Sequence, residues 1–252
     1  MISKTKISEI KKLSQKKYRD ISGTFIVEGT KSTIDLLRSN LEIVEVWALE
    51  KWWTKYPEET KHIEKHIVEE NELSRISCLT TPQEVLAIAK IPFFDIQTID
   101  YQDSILVLDS IRDPGNMGTI IRTADWFGIQ QIVCSYDCVE WTNPKTIQAT
   151  MGSFSRQKLF YTHLPQFLSS AKIQGTIYGT FMQGQAIQNT TFKKNDVIII
   201  GNEANGITTE VEHYIQQKIT IPAVPHNHQG AESLNASIAA AITMYQWKKT
   251  IL

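Results

Sequence analysis

A chain of 252 residues with 42% apolar residues has room for one large or two small globular cores, and its formal net charge of -1 argues against a uniformly basic nucleic-acid-binding surface. Charge is uneven, however: Lys4, Lys6, Lys11, Lys12, Lys16, Lys17 and Arg19 crowd the first nineteen residues against Glu9 alone, so a local basic patch is expected there. Three cysteines without paired spacing (Cys78, Cys134, Cys138) speak against a disulfide framework or structural zinc. No apolar run approaches the roughly 18 residues of a membrane span, and a cytoplasmic protein with reduced thiols is expected.

In chain order, Thr24 to Val27 reads as a strand, Thr30 to Arg38 as a helix and Ile43 to Leu49 as a second strand. Lys51 to Glu70 is charged and helical in character, Ile76 to Leu79 reads as a strand, and Thr81-Pro82 opens a helix that runs out near Lys90. Ile91 to Asp103 holds Pro92 and no periodicity, which marks a boundary between an N-terminal domain (1–92), a linker (93–102) and a C-terminal domain (103–252). Beyond it, Ile105 to Leu108 and Val197 to Ile200 are continuous apolar runs, expected for strands covered on both faces. Ile129 to Cys134 and Thr176 to Phe181 add strands. Helical patterns at Met117 to Phe127, stopped by Gly128, and at Leu164 to Lys172 separate them, so the order argues an α/β domain with a doubly wound parallel sheet. The last helix, from about Glu232 to Lys248, sets Leu234, Ile238, Ala241, Ile242 and Tyr245 on one stripe.

Three clusters follow apolar runs and should meet at the carboxyl edge of that sheet, where loops and helix N-termini present unpaired N–H groups. In the first, Arg112 to Asn116, Asn116 is suited to cap the next helix and Arg122 lies less than two turns in. Taken alone it is a capped helix with a surface arginine. In the second, Gly201 to Gly206, two glycines bracket Asn202, Glu203 and Asn205 in neither a dinucleotide-fold nor a Walker pattern, which disfavours a nicotinamide or nucleotide enzyme. The third, Glu232 to Asn235, enters the terminal helix with Ser233 and Asn235 flanking Leu234. His226 and His228 stand two apart with no cysteine or carboxylate set, so no metal is assigned.

Together, Asp109 to Gly128, Ile198 to Ile207 and Ile219 to Ala241 resemble the three motifs of the SpoU/TrmH family of RNA ribose 2′-O-methyltransferases, in the SPOUT superfamily, in order and spacing. Asn143-Pro144-Lys145 and Met151-Gly152-Ser153 resemble further family segments. Lys17-Tyr18-Arg19 and Phe25 to Gly29 resemble the family's appended ribosomal-protein-like RNA-binding domain. The resemblance implies S-adenosylmethionine held in a deep C-terminal trefoil knot, a topology that ordinary connection rules exclude, and a homodimer that completes the site. It implies that Gly201, Ile221 and Leu234 cradle the donor with Asn202 and Thr180 nearby, and that Asn116, Arg122, Glu203, Ser233 and Asn235 form the polar active site. A guanidinium is always charged, so Arg122 is expected to grip a phosphate rather than take a proton. The loop Pro225 to Gln229 is longer than the family pattern.

The substrate implied is structured RNA: ribosomal RNA because of the appended domain, with transfer RNA as the alternative and a catalytically silent RNA-binding or ribosome-assembly module as the rival class. Trp47, Trp52 and Trp53 read as core residues, with base stacking by Trp52-Trp53 as the second reading. The N-terminal lysines are expected to meet phosphate.

Overall fold

The basic N-terminus folds as helices α1 (Lys4–Lys12) and α2 (Lys16–Ser22) in the computed structural model, which describes residues 2–223 and 232–251. Then come β1 (Thr24–Glu28), α3 (Thr30–Leu37), β2 (Ile43–Ala48), α4 (Glu50–Lys55), α5 (Pro57–Thr60), β3 (Lys65–Ile67), α6 (Glu70–Ile76) and β4 (Val85–Lys90). The sheet has the order β1-β4-β2-β3, with β4 antiparallel to both neighbours and β3 parallel to β2. Three sequence expectations fail here. Lys51 to Glu70, read as helical, holds strand β3. The helix read over Thr81 to Lys90 is the central strand β4, and the strand read at Ile76 to Leu79 is the end of α6 and the turn after it. Val85 to Ala89 is buried throughout: Leu86 and Ile88 join the cluster of Ile7, Ile10, Leu73 and Ile76, while the alternate, small Ala87 and Ala89 leave room for α3 to pack on the opposite face. Alanine, a helix former in isolation, is used here for its size.

The remaining elements are β5 (Ile105–Leu108), α7 (Pro114–Trp126), β6 (Gln131–Ser135), α8 (Pro144–Thr150), β7 (Lys158–Thr162), α9 (Leu164–Leu168), β8 (Ile177–Ala186), β9 (Val197–Ile200), α10 (Thr209–Glu212), β10 (Gln217–Thr220) and α11 (Ala236–Lys249). Six parallel strands form the sheet β10-β8-β9-β5-β6-β7, so β5 and β9, the two continuous apolar runs, are its centre. One face packs Ile105, Val107, Val133, Phe160 and Ile199 against Leu164 and Phe167 of α9 and Val211 of α10. Strand residues of the other parity, such as Leu106, Leu108 and Ile198, are equally buried. Helices α7 and α11 pack together, with Ile120, Ile121, Ala240, Met244 and Trp247 inward. The sequence missed β7 and β10, short strands with exposed ends.

Packing does not follow the linear division of the chain. One compact unit is Met1–Phe93 with Glu140–Arg156, and the other is Phe94–Val139 with Gln157–Leu252. Within the first unit, Trp141 and Phe154 meet Phe25 edge-on, with ring centroids 5.0 and 5.9 Å away, and Arg19, 1% exposed, pairs with Glu140 and donates to the Leu13 carbonyl at 2.8 Å. Arg19 therefore leaves the basic patch expected at the N-terminus, whereas Lys4, Lys11, Lys12 and Lys17 are exposed. At Gly152, φ is +94° and a Cβ would lie 2.2 Å from Asp35 Oδ2, so only glycine closes this turn. Trp52 and Trp53 are core, which removes them as stacking platforms, while half-buried Trp47 stacks on His66 at 4.3 Å. Residues 94–101, read as linker, pack Phe94, Ile96, Ile99 and Tyr101 onto the core of the second unit. All three cysteines are free thiols, and no helix among the described residues is long and apolar enough to cross a membrane.

Candidate active site

Helix α7 starts earlier than its sequence pattern implied. Asp113, not Asn116, is the N-cap: its carboxylate accepts the Asn116 N–H at 2.7 Å, and Pro114 takes the first helical position, where a missing N–H costs nothing. That shift puts Asn116 inside the first turn with its side chain free to leave the helix. The Asp-Pro pair preceding it is a start signal, and it was legible in the sequence.

Leaving β9, residues 201–206 fold back on themselves. Asn202 N–H donates to Gly206 O at 3.0 Å and Gly206 N–H to Asn202 O at 2.9 Å, while Asn202 Oδ1 accepts from the N–H groups of Ala204 and Asn205 at 2.9 and 3.2 Å. A Cβ on Gly201 would lie 2.4 Å from the Gly206 carbonyl carbon, so this glycine serves the loop's own closure. The Asn202 amide donates to Ser110 O at 2.9 Å, and buried Asp109 accepts Thr208 N–H at 2.7 Å, which together hold the loop across the end of β5. Ser110 itself has φ +60°, unusual for a residue with a side chain. It is held by its N–H to Ser135 Oγ at 2.9 Å and its Oγ to Asp137 at 2.7 Å. Partial burial penalises the Asp137 carboxylate, but hydrogen bonds from Ser135, Ser110 and Arg112 outweigh that and hold its pKa at about 2. Of these bracing residues, Gly201, Asn202, Gly206 and Arg112 stood in the clusters read from the sequence, whereas Ser135, Asp137 and Thr208 were not singled out.

The third segment ends at Asn235, the N-cap of α11. Its Oδ1 accepts from Ser237 N–H at 3.0 Å, Ser237 Oγ at 2.6 Å and Ile238 N–H at 3.3 Å, and its amide nitrogen donates to Asn116 Oδ1 at 2.9 Å. Asn116 in turn donates to Glu203 Oε1. Residues 116, 203 and 235, remote in sequence, thus form one hydrogen-bonded array beyond the carboxyl ends of β5 and β9.

Arg122 is not joined to that array by a hydrogen bond or ion pair among the described residues, and it lies exposed on the face of α7 that also carries Trp126, 84% exposed. Ser233 is exposed just before the array. Of the residues expected at a methyl donor, Asn202 is occupied in bracing the loop, Thr180 Oγ1 donates to Ile199 O at 3.3 Å one residue past the β8–β9 register, Ile221 is half-buried after β10, and Leu234 is 45% exposed. Leu234, next to Asn235 in the chain, thus leaves an apolar side chain exposed beside an array that ends in the Glu203 carboxylate. The loop Pro225 to Gln229, with His226 and His228, lies outside the described residues. A separate cleft of about 540 Å³ opens at the ends of β5, β6 and β7, lined by Asp109, Ser110, Asp137, His163 and Glu210 among others; none of the expected site residues lines it.

The stripe of Leu234, Ile238, Ala241, Ile242 and Tyr245 is not core. Leu234, Ile238, Ile242 and Tyr245 are 45%, 49%, 37% and 55% exposed, and the buried face of α11 is Ala236, Ser237, Ala240, Thr243, Met244 and Trp247.

Comparison with known proteins gives the family. Residues 4–87 match the model of an MRM3-like substrate binding domain. The 23S rRNA (guanosine(2553)-2′-O)-methyltransferase RlmP of Bacillus subtilis is 30% identical over 243 residues, covering 95% of this chain and 94% of the relative. The structure of an AdoMet-bound rRNA methyltransferase from Sinorhizobium meliloti superposes with a TM-score of 0.88 at 28% identity, over 100% of this chain and 98% of that one. A TrmH-family RNA methyltransferase structure from Porphyromonas gingivalis gives 0.86 at 30% identity over 99% of both chains. With residues 103–245 matching the model of the SpoU rRNA Methylase family, more than half its length, the chain belongs to that family.

Proposed function

We propose that this protein transfers a methyl group from S-adenosylmethionine to a ribose 2′-hydroxyl of ribosomal RNA. The observation that carries the reading is the array of Asn116, Glu203 and Asn235, drawn from three separate motifs to one edge of the sheet in a chain whose relatives are named rRNA 2′-O-methyltransferases. S-adenosylmethionine supplies an electrophilic methyl on sulfur. Gly201, Ile221 and Leu234, with Thr180 and Asn202 beside them, would hold it, the exposed Leu234 offering an apolar wall to adenine. The chain's own residues do the rest: Arg122 grips the phosphate next to the target ribose and stabilises developing negative charge, and Asn116, Ser233 and Asn235 orient the hydroxyl, with Glu203 beside them in the polar site.

In the same proposal, residues 1–92 bind RNA and residues 103–252 catalyse; 93–102 join them in the chain, with 94–101 packed onto the second unit and 140–156 folded with the first. The two matched family models support this division, and the exposed lysines of α1 and α2 support phosphate contact. The donor site is a deep trefoil knot, a reading that rests on the chain's membership of the SpoU rRNA Methylase family. The working form is a homodimer through the uncovered stripe on α11. It begins beside Asn235, and its Tyr245 meets Phe127 at the end of α7 with ring centroids 6.3 Å apart, so a partner seated on it would lie next to the array. The cytoplasm is its location in this proposal, a reading supported by the bacterial relative named above.

The test is transfer of tritiated methyl from S-adenosylmethionine to deproteinised ribosomal RNA and, in parallel, transfer RNA. Label in ribosomal RNA that survives alkali as a resistant dinucleotide and disappears with Asn235→Ala is expected. Label confined to transfer RNA would move the substrate, and RNA binding with no label would make this a silent module.

A further inference from the structure

The direction of the hydrogen bonds in the array decides where the hydroxyl proton goes, on the methyl-transfer reading given above. An amide oxygen only accepts and an amide nitrogen only donates. Asn235 Oδ1 is engaged by three donors at the start of α11, so its nitrogen must face Asn116, and it does so at 2.9 Å. With its oxygen taken, Asn116 turns its nitrogen to Glu203 Oε1. The chain of bonds therefore runs one way and terminates in a carboxylate, whose Oε2 has no hydrogen bond among the described residues. Neither asparagine can accept a proton, Arg122 is permanently charged, and a serine hydroxyl is a weak base.

We propose that Glu203 Oε2 takes the proton of the ribose 2′-hydroxyl, and that Asn116 and Asn235 are positioning residues that aim this carboxylate. The hydroxyl oxygen forms its bond to the methyl carbon as the carbon–sulfur bond breaks and its electron pair stays on sulfur; the proton passes to Glu203 Oε2 and then to water, so the positive charge of the donor leaves as a proton.

Three variants of the full-length protein test this, read by kcat and KM for RNA, by calorimetry with S-adenosylhomocysteine, and by thermal midpoint. Glu203→Gln should lower kcat about 100-fold or more with KM and ligand affinity nearly unchanged. Asn116→Asp sets two carboxylates face to face, so its turnover should collapse at high pH and partly return as the pH falls and one shared proton restores a donor. The double variant Asn116→Asp/Glu203→Gln restores complementary bonding, because the amide nitrogen introduced at position 203 can donate to the new carboxylate; its midpoint and ligand affinity should recover while turnover does not. Turnover near the unmodified level in Glu203→Gln, or recovered in the double variant, overturns the assignment, as does a turnover of Asn116→Asp that ignores pH. Absence of methyl transfer by the unmodified protein would instead defeat the functional reading itself.

Discussion

At the scale of single residues, the site combines groups fixed by the fold with one that is not. Asn116 and Asn235 have their acceptor oxygens committed to neighbours, whereas Arg122 projects from α7 without a hydrogen bond or ion pair among the described residues. An unpaired guanidinium suits a group whose partner arrives with the substrate: its planar fork can hold two phosphate oxygens, which the point charge of lysine cannot reproduce. Arg122→Lys keeps the charge and loses the fork. Its kcat should fall by about 100-fold or more, a loss of roughly 3 kcal/mol in transition-state stabilisation, while S-adenosylhomocysteine binds within a few-fold of normal. A Lys variant that turns over normally would remove the phosphate clamp from the mechanism.

At the scale of elements, what the sequence made legible was what periodicity and punctuation encode. The buried runs of β5 and β9 and the stop of α7 at Gly128, which has φ +68°, were readable because each is a local pattern. Strand β4 was not, since its alanines serve packing against α3, which depends on tertiary structure. The stripe on α11 has helical spacing but faces outward, and spacing alone says that residues share a face, never which side that face takes. Convergence of Asn116, Glu203 and Asn235 could be expected from strand ends, but not the bracing beneath it, because Asp109, Ser110 and Asp137 act through contacts between loops 25 to 99 residues apart. That brace has a pH signature. The Asp137 pKa is depressed from 3.8 to about 2, so its contribution is complete above about pH 4 and is lost as the pH falls toward 2. The depression corresponds to at most about 2.5 kcal/mol, and since the Asp137 side chain is 46% exposed, solvent screening reduces it to roughly 1 kcal/mol. Asp137→Asn should accordingly lower unfolding free energy by about 1 kcal/mol in neutral denaturant titrations, with the difference from the unmodified protein shrinking near pH 2. An undiminished difference at pH 2 would mean that shape rather than charge holds Ser110.

For the whole molecule, the discontinuous first unit and the uncovered stripe of α11 each carry a consequence. Arg19 is buried at 1% exposure with Glu140, more than a hundred residues on, as its ionic partner. Glu140 is 24% exposed and Arg19 keeps its bond to the Leu13 carbonyl, so Glu140→Ala should destabilise the first unit by about 2 kcal/mol in a melting experiment, and an unchanged midpoint would mean that residues 140–156 do not brace it. The stripe makes the opposite kind of claim, because Ile238, Ile242 and Tyr245 are 49%, 37% and 55% exposed among the described residues and sit on the helix that Asn235 caps. If a second copy covers them, a charge placed there must be desolvated on association and is unpaired once buried. Ile242→Glu should therefore weaken self-association by about 2 kcal/mol or more, roughly 30-fold in Kd, measured by sedimentation at micromolar concentration. In a monomer the position stays 37% exposed, so circular dichroism and the thermal midpoint should hardly move. If, as proposed, the partner completes the site, methyl transfer should fall in step with the loss of dimer and return at high protein concentration. Sedimentation of the unmodified protein as a monomer, or full activity in a monomeric Ile242→Glu variant, would leave Arg122 to serve its own chain and would require another partner for the stripe.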